Sequence, residues 1–311
     1  MRYTKLLANR VRRHTGNTDI PNDDSGIEDE SIIDYLNDGI ALIQSIIYPE
    51  MPEFFNTTEE ITIVGQQVGY TLNGATFLGD TIASVEYSED GSARRYRSLR
   101  RIVPLERNNE HVSTPGHYFV QGGKIFLSGV PNTSKGTLRV TYTRVLNKID
   151  IRRGRVASTV NDGTDYTTIT LETTNPVPHD DQLNDRDKNE PFTVVDTDGV
   201  IQHANIPYTN FNTSTEIITL GSGVALTSGT ISAGDYIVFG EYATTHSELP
   251  PTFEPYLVQY AVRQILANEE SSIDVAANDP VLRAWTDAIT NSVQNISSVY
   301  QFPAQVDPYY A

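Results

Sequence analysis

The chain of 311 residues contains no cysteine, which excludes disulfides, thiolate zinc sites and any cysteine nucleophile. Folding in a reducing cytosol fits that composition, as does an extracellular particle without disulfides. No run of about 18 apolar residues occurs, so nothing in the sequence is expected to span a membrane. The opening MRYTKLLANRVRR has no long apolar core and does not read as a signal peptide. Basic charge is also scarce: 23 Lys and Arg stand against 40 Asp and Glu, a formal net charge of −17. That balance argues against a nonspecific nucleic-acid binder, which needs a basic surface to release counterions. It suits a protein that must stay soluble before assembly, or one that lets DNA pass without sticking.

What is there points to many short strands. Hydrophobic content is a modest 38%, while Thr, Asn, Asp, Gly and Tyr are plentiful, a mixture suited to strands joined by tight turns. The length allows one large or two medium domains.

Helical patterning is confined to the two ends. Residues 3 to 14 predict a helix with Tyr3, Leu6, Leu7 and Val11 on one side, and Arg2, Lys5, Arg10, Arg12 and Arg13 making it locally basic. Its basic residues either meet DNA or an acidic neighbour, or form a solvated face balanced by the acidic stretch Asp19 to Glu30. A second helix is expected from about Glu28 to Tyr48, where Ile32, Leu36, Ile40, Ile43 and Ile47 form a stripe that Ile33 and Leu42 widen. Ser25 with Glu28, or Asp29 alone, can cap it, and Pro49 stops it. Gly39 in its interior costs up to about 1 kcal/mol against alanine; it either marks the close approach of another helix or is simply tolerated. Late in the chain, LPPTFEPYLVQYAVRQILANEE at 249–270 reads as a helix that starts after two prolines. Phe253, Leu257, Tyr260, Ala261 and Ile265 share one face, and Pro255 sits in the first turn. A last helix is expected over about 280–298, with Leu282, Trp285, Ile289, Val293 and Ile296 as its stripe.

Between the ends the period changes to two. Residues 59 to 148 hold alternating segments separated by the turn dipeptides Asn73-Gly74, Asp90-Gly91 and Gly122-Gly123, and YFVQGGKIFL is the clearest hairpin. Arg94, Arg95, Arg97, Arg100 and Arg101 either line a groove or are surface charges on a wet sheet face. From 150 to 246 a second β-rich block predicts strands at 153–160, 166–172, 192–195, 199–203, 216–220 and 235–242. Residues 175 to 191, rich in proline and carboxylates, read as a long exposed loop.

Nothing in the sequence supports an enzyme. Gly122-Gly123-Lys124 lacks the spacing of a phosphate loop, and Gly221-Ser222-Gly223 is not a nucleophile elbow. Of the six histidines (His14, His111, His117, His179, His203, His246) none pairs with metal spacing on a helix. The Asp196-Thr197-Asp198-Gly199 turn fails as a calcium loop, because its twelfth position is Asn205 where a bidentate Glu belongs. No enzyme, cofactor or metal is expected.

Three stretches carry a resemblance: ESIIDYLNDGIALIQSIIYPEMPEFF at 30–55, GTLRVTYTRVL at 136–146 and LPPTFEPYLVQYAVRQILANEES at 249–271. With two helices before a β-domain and two after it, the chain resembles a bacteriophage head–tail adaptor (connector) protein over roughly residues 1–148 and 248–300. The fold class is then α+β: a helical bundle from residues 1–58 and 248–299, an antiparallel β-domain at 59–149, and an inserted β-rich domain at 150–247.

The resemblance implies a homododecameric ring under the portal protein, around a channel through which double-stranded DNA passes without specific binding. Twelve acidic copies would carry about −200 formal charge and keep that DNA mobile. Leu36, Ile40, Ile43, Leu257, Tyr260, Ile265 and Trp285 would pack the bundle and ring. Residues 300–311, with four aromatics and two prolines, would extend onto the portal through Tyr300, Phe302, Pro303, Val306, Pro308, Tyr309 and Tyr310. Arg10, Arg12 and Arg13 would meet DNA or an acidic partner. The inserted block would contact a tail tube or nozzle protein, or tail fibres, and the protein would reside in the virion after assembly in the host cytoplasm. Two other classes stay open. A tail fibre or receptor-binding protein fits the Thr/Asn/Gly-rich block but seldom has four terminal helices, and a carbohydrate-binding β-sandwich would want clustered exposed aromatics and a signal peptide.

Overall fold

A computed structural model describes residues 3–15, 29–49, 51–65, 67, 69–72, 77–89, 95–104, 115–122, 124–129, 136–173, 191–212, 214–221, 223–226, 230–240, 242–269, 284 and 286–291. The protein is a mixed α+β chain with mostly antiparallel sheets and few helices. It divides into two compact units, one formed by Met1–Ile46 with Leu146–Ala311 and the other by Ile47–Val145.

In the first unit, α1 (Thr4–His14) buries Thr4, Leu7, Ala8 and Val11. Leu6, expected on the apolar side, is instead 54% exposed. A helix advances 100° per residue, so a stripe centred on Leu7, Ala8 and Val11 turns position 6 outward. α2 (Asp29–Ile47) buries Ile32, Ile33, Leu36, Ile40, Ile43 and Ile47, whereas Leu42 is 38% exposed. Its expected capping pair, Ser25 and Glu28, lies outside the described residues. α3 (Glu254–Glu269) carries Pro255 in its first turn and buries Leu257, Val258, Ala261, Val262 and Ile265; Tyr260 is half-buried. A fully buried Ile or Leu contributes about 1.5–3 kcal/mol. Six of them outweigh the roughly 1 kcal/mol that Gly39 costs α2 as a helix. Of the last expected helix, residues 286–291 are helical, with Ile289 buried and the Thr290 hydroxyl donating to Thr286 O at 2.9 Å. Trp285 lies outside the described residues.

The same unit contains a seven-stranded antiparallel sheet built from β9 (Gly154–Asn161), β10 (Tyr166–Leu171), β11 (Phe192–Val195), β12 (Ile201–Ile206), β13 (Tyr208–Asn212), β14 (Ile217–Leu220) and β15 (Tyr236–Phe239), in the order β12-β11-β15-β9-β10-β14-β13. The outermost strands, β12 and β13, are separated in the chain by Pro207 alone. The two edge strands of the sheet therefore come together in the chain at that residue. β9 serves both halves, pairing β15 at Gly154 and Arg155 and then β10 from Val156 onward, with register shifts that bend it. Val156, Ile169, Phe192, Val194, Ile206, Tyr208, Ile218 and Ile237 form one buried core. The Tyr166 hydroxyl there accepts a hydrogen bond from the Ile231 N–H at 3.0 Å. Sparse as the block is in large aliphatics, it has a core of its own.

The second unit packs two four-stranded sheets face to face. One runs β1-β8-β3-β4, from β1 (Asn56–Thr62), β3 (Phe77–Ser88), β4 (Arg97–Ser98) and β8 (Thr137–Arg144); the other runs β2-β7-β6-β5, from β2 (Gly69–Thr71), β5 (Arg100–Arg101), β6 (His117–Gln121) and β7 (Lys124–Ser128). Ile63, Tyr70, Val85, Tyr87, Leu99, Ile125, Leu138 and Val140 lie among the core side chains. The 117–128 hairpin forms as expected, with Gln121 paired to Lys124 and Gly122 at φ 57°. The arginine-rich stretch divides between the two sheets. Leu99 is buried and its N–H donates to Val85 O at 2.8 Å, so β4 belongs to one sheet and β5, parallel to β6, to the other. Arg95, Arg97, Arg100 and Arg101 are exposed. Arg94 and the dipeptides Asn73-Gly74 and Asp90-Gly91 lie outside the described residues.

Candidate functional site

The residues that organise the first unit are polar side chains on α1 and α2 that hold two distant backbone segments. Asn37 on α2 donates from Nδ2 to Ile149 O at 3.0 Å and accepts the Ile149 N–H at Oδ1, 2.8 Å. One helical stretch further on, the Oε1 of buried Gln44 accepts the Leu146 N–H at 3.1 Å. Glu248 accepts the Asn147 N–H at 3.0 Å. On α1, the N–H and the hydroxyl of Thr4 both donate to Thr245 O, each at 2.8 Å. Asp150 and Thr244 close the set, with Asp150 N–H to Thr244 O and Thr244 N–H to Lys148 O at 2.9 Å each. Segments 146–150 and 244–248, which flank the seven-stranded sheet in sequence, are thus fixed to helices and to each other. These bonds pair backbone groups of both segments, several of them at the buried residues Leu146, Ile149, Asp150, Thr244 and Thr245.

Just beyond, Arg153 and Asp150 form a buried pair: Nη2 to Oδ1 at 2.8 Å, with Nε 3.1 Å from Oδ2. Asp150 Oδ2 also accepts the Phe239 N–H at 2.8 Å, and Glu30 Oε1 lies 3.6 Å from Arg153 Nη1. The Arg152 guanidinium lies over the rings of Tyr3 at 4.6 Å and Tyr236 at 3.9 Å, and donates to Thr197 O at 2.9 Å. A cation between two aromatic faces gains from both ring quadrupoles. His246 neighbours Tyr3 with ring centroids 5.8 Å apart, and its Nδ1 is 2.9 Å from the Thr245 hydroxyl. Burial, then the Arg152 charge, lowers the His246 pKa below the ordinary histidine value; burial raises that of Tyr3 against the opposing pull of Arg152.

Helix–helix contact is tight at one point. A Cβ on Gly39 would stand 2.7 Å from Leu257 Cδ1 and 3.0 Å from Tyr260 Cδ1, so the glycine marks a close approach of α2 to α3. Leu36, Ile40, Ile43, Leu257 and Ile265 are buried, and Tyr260 borders the same contact with its pKa raised by burial and then by Asp38. The three arginines of α1 are not equivalent. Arg10 Nη1 is 3.8 Å from the buried Glu254 carboxylate at the start of α3, Arg12 is half-buried, and Arg13 is exposed. Tyr300, Phe302, Pro303, Val306, Pro308, Tyr309 and Tyr310 lie outside the described residues. Among the described residues no three His, Asp or Glu side chains are grouped to hold a metal, and no helix is long and apolar enough to cross a membrane.

Sequence reasoning missed Asn37, Gln44, Thr4 and Arg152. The available signal was a polar amide at a core-facing position of α2, as at Gln44, which needs a buried partner. Residues 1–154 match the family described as SU10 adaptor protein. The resemblance to phage head–tail adaptors is borne out. The match ends on the first residue of β9, so it covers α1, α2, the whole of the second unit and the clamped segment 146–153, and stops where the seven-stranded sheet begins. An adaptor of this family is a structural phage protein that meets other head or tail proteins. No curated protein matches the chain.

Proposed function

We propose that this adaptor assembles as a ring, twelve-fold as in the family pattern, that joins the portal to the tail and lines the DNA exit channel at the head–tail junction. The observation that carries the reading is the SU10 adaptor match over residues 1–154. In this reading residues 1–58 and 248–299 form the ring-building helical bundle, and the tight α2–α3 approach at Gly39 supports it. Residues 59–149 form the β-domain shared with the family. Residues 150–247 are the inserted domain, and the matched region's end at residue 154 supports treating them as an addition. That domain faces a tail tube or nozzle protein, or fibres. Residues 300–311 dock on the portal through their aromatic side chains. An acidic ring of net −17 per copy lets DNA slide by repulsion. The ring enters the virion after assembly in the host cytoplasm.

The test uses the full chain and the portal of the same particle. Full-length protein is expected to bind portal and form a ring countable by electron microscopy, and a chain lacking residues 300–311 is expected to lose portal binding. Undiminished binding by the truncated chain would remove the docking role of the tail. A full-length protein that ignores portal altogether would remove the adaptor ring itself.

A further inference from the structure

We infer that the outward face of α1 in one copy of the chain packs on the outward face of α2 in the next copy. The ring reading above supplies only the closure; the two faces themselves supply the contact. α1 turns Thr4, Leu7, Ala8 and Val11 inward, which leaves Lys5, Leu6 and Arg13 on the opposite side. Leu6 and Arg13 stand two turns apart on one row. α2 turns its isoleucines and Leu36 inward, which leaves Asp34, Asp38 and Leu42, at successive spacings of four, on its own outward row.

The two rows match in kind and oppose in sign. α1 carries Lys5, Arg10, Arg12 and Arg13 and no carboxylate, whereas α2 carries Asp29, Glu30, Asp34 and Asp38 and no basic residue. Each row includes one leucine turned to solvent, Leu6 and Leu42. None of Lys5, Arg13, Asp34 and Asp38 forms an ion pair with another described residue.

Because the chain is strongly acidic, two copies repel over most of their surfaces. A helix of concentrated positive charge is where approach is favourable, and α2 offers the complementary strip. Leucine meeting leucine gives the contact an apolar centre, with charges at its rim to set register. The two faces belong to different helices, so the contact is heterologous and propagates head to tail, as ring closure requires.

The experiment uses the full chain with portal and measures assembled mass. Reversing α1 charge (Lys5→Glu with Arg13→Glu) or α2 charge (Asp34→Lys with Asp38→Lys) is expected to lower assembly at least about tenfold, and all four changes together to restore it. Assembly of either pair at the wild-type level, or failure of the fourfold variant to recover, overturns the proposal. All four positions are exposed, and unchanged circular dichroism checks the fold. A second measurement needs no variant. Carbodiimide coupling in a mixture of isotope-labelled and unlabelled wild-type copies should join Lys5 of one copy to Asp34 or Asp38 of another. A link from Lys5 to the acidic stretch 19–30 of its own copy, or no link to α2, overturns the proposal. The ring reading fails separately: rescue that stops at a dimer keeps the interface and sinks the ring, while a ring indifferent to both charge pairs does the reverse.

Discussion

The side-chain amide of Asn37 holds Ile149 at both of its backbone polar atoms, with the donor 3.0 Å from the carbonyl and the acceptor 2.8 Å from the N–H. It replaces the neighbour that a strand would have, at a point where Ile149 is 1% exposed and water has little access.

Replacing Asn37 with alanine should therefore leave two backbone groups poorly matched, at a cost of about 1–3 kcal/mol. Asn37→Asp keeps the acceptor but sets a carboxylate oxygen against a carbonyl, and should be no better. Hydrogen exchange reads this directly: the Ile149 amide should lose protection in the alanine variant. Wild-type protection at Ile149 in the alanine variant would show that the amide bond pair contributes nothing.

Gly39 supports an opposite-sign argument. Alanine would gain up to about 1 kcal/mol of helix propensity. Its Cβ, however, would stand 2.7 Å from Leu257 Cδ1, and Leu257 is fully buried. Overpacking typically costs about 1–3 kcal/mol, so the clash should win and Gly39→Ala should lower the melting temperature. Adding Leu257→Val to Gly39→Ala should recover part of the loss. A higher melting temperature for the single variant would mean that the two helices separate freely.

These cases also mark what the residues disclose and what they hide. The apolar stripes of α2 and α3 were legible because burial there repeats with the helical period. Leu6 and Leu42 misled, since each lies next to its stripe and only rotation about the axis tells the edge from the outside. β13 was missed because YTNFN alternates weakly and forms an edge next to Pro207, where packing rather than propensity decides. Of the clamp, only the need of Gln44 for a buried partner was legible, and not which partner it finds. Asn37 and Gln44 bind main-chain atoms about a hundred residues away, and a backbone N–H or carbonyl partner leaves no mark in a sequence. The division of the arginine-rich stretch between two sheets was not legible, because it turns at Leu99, whose N–H bonds the Val85 carbonyl.

Asp150 and Arg153 should behave as a pair. Both are buried, and Asp150 also serves the Phe239 N–H. Asp150→Ala takes the closest carboxylate from the guanidinium and leaves Glu30 at 3.6 Å, and removing one partner of a buried pair costs about 3–5 kcal/mol. Removing both charges together, as Asp150→Leu with Arg153→Met, should cost less than Asp150→Ala alone, because no buried charge is left uncompensated. Denaturant unfolding of the three proteins decides the matter. A double variant less stable than the single would show that the pair is worth more than its desolvation.

His246 should make stability depend on pH below neutrality. Burial and the Arg152 charge hold its folded pKa below the ordinary value, so the unfolded chain takes up a proton at a higher pH than the folded one. The stability gained by keeping the ring neutral is complete above about pH 6.5 and is lost as pH falls from there through the folded pKa. Asp235 runs the other way. Burial raises its pKa, so its contribution is present below the ordinary carboxylate range and is lost as pH rises through the folded value. Unfolding midpoints at pH 7.5 and 5.5 should therefore fall more in the wild type than in His246→Gln, whose side-chain oxygen can still accept from Thr245. Equal falls in the two proteins would assign the acid sensitivity to other groups and leave the Tyr3–Arg152–His246 contact without a part in it.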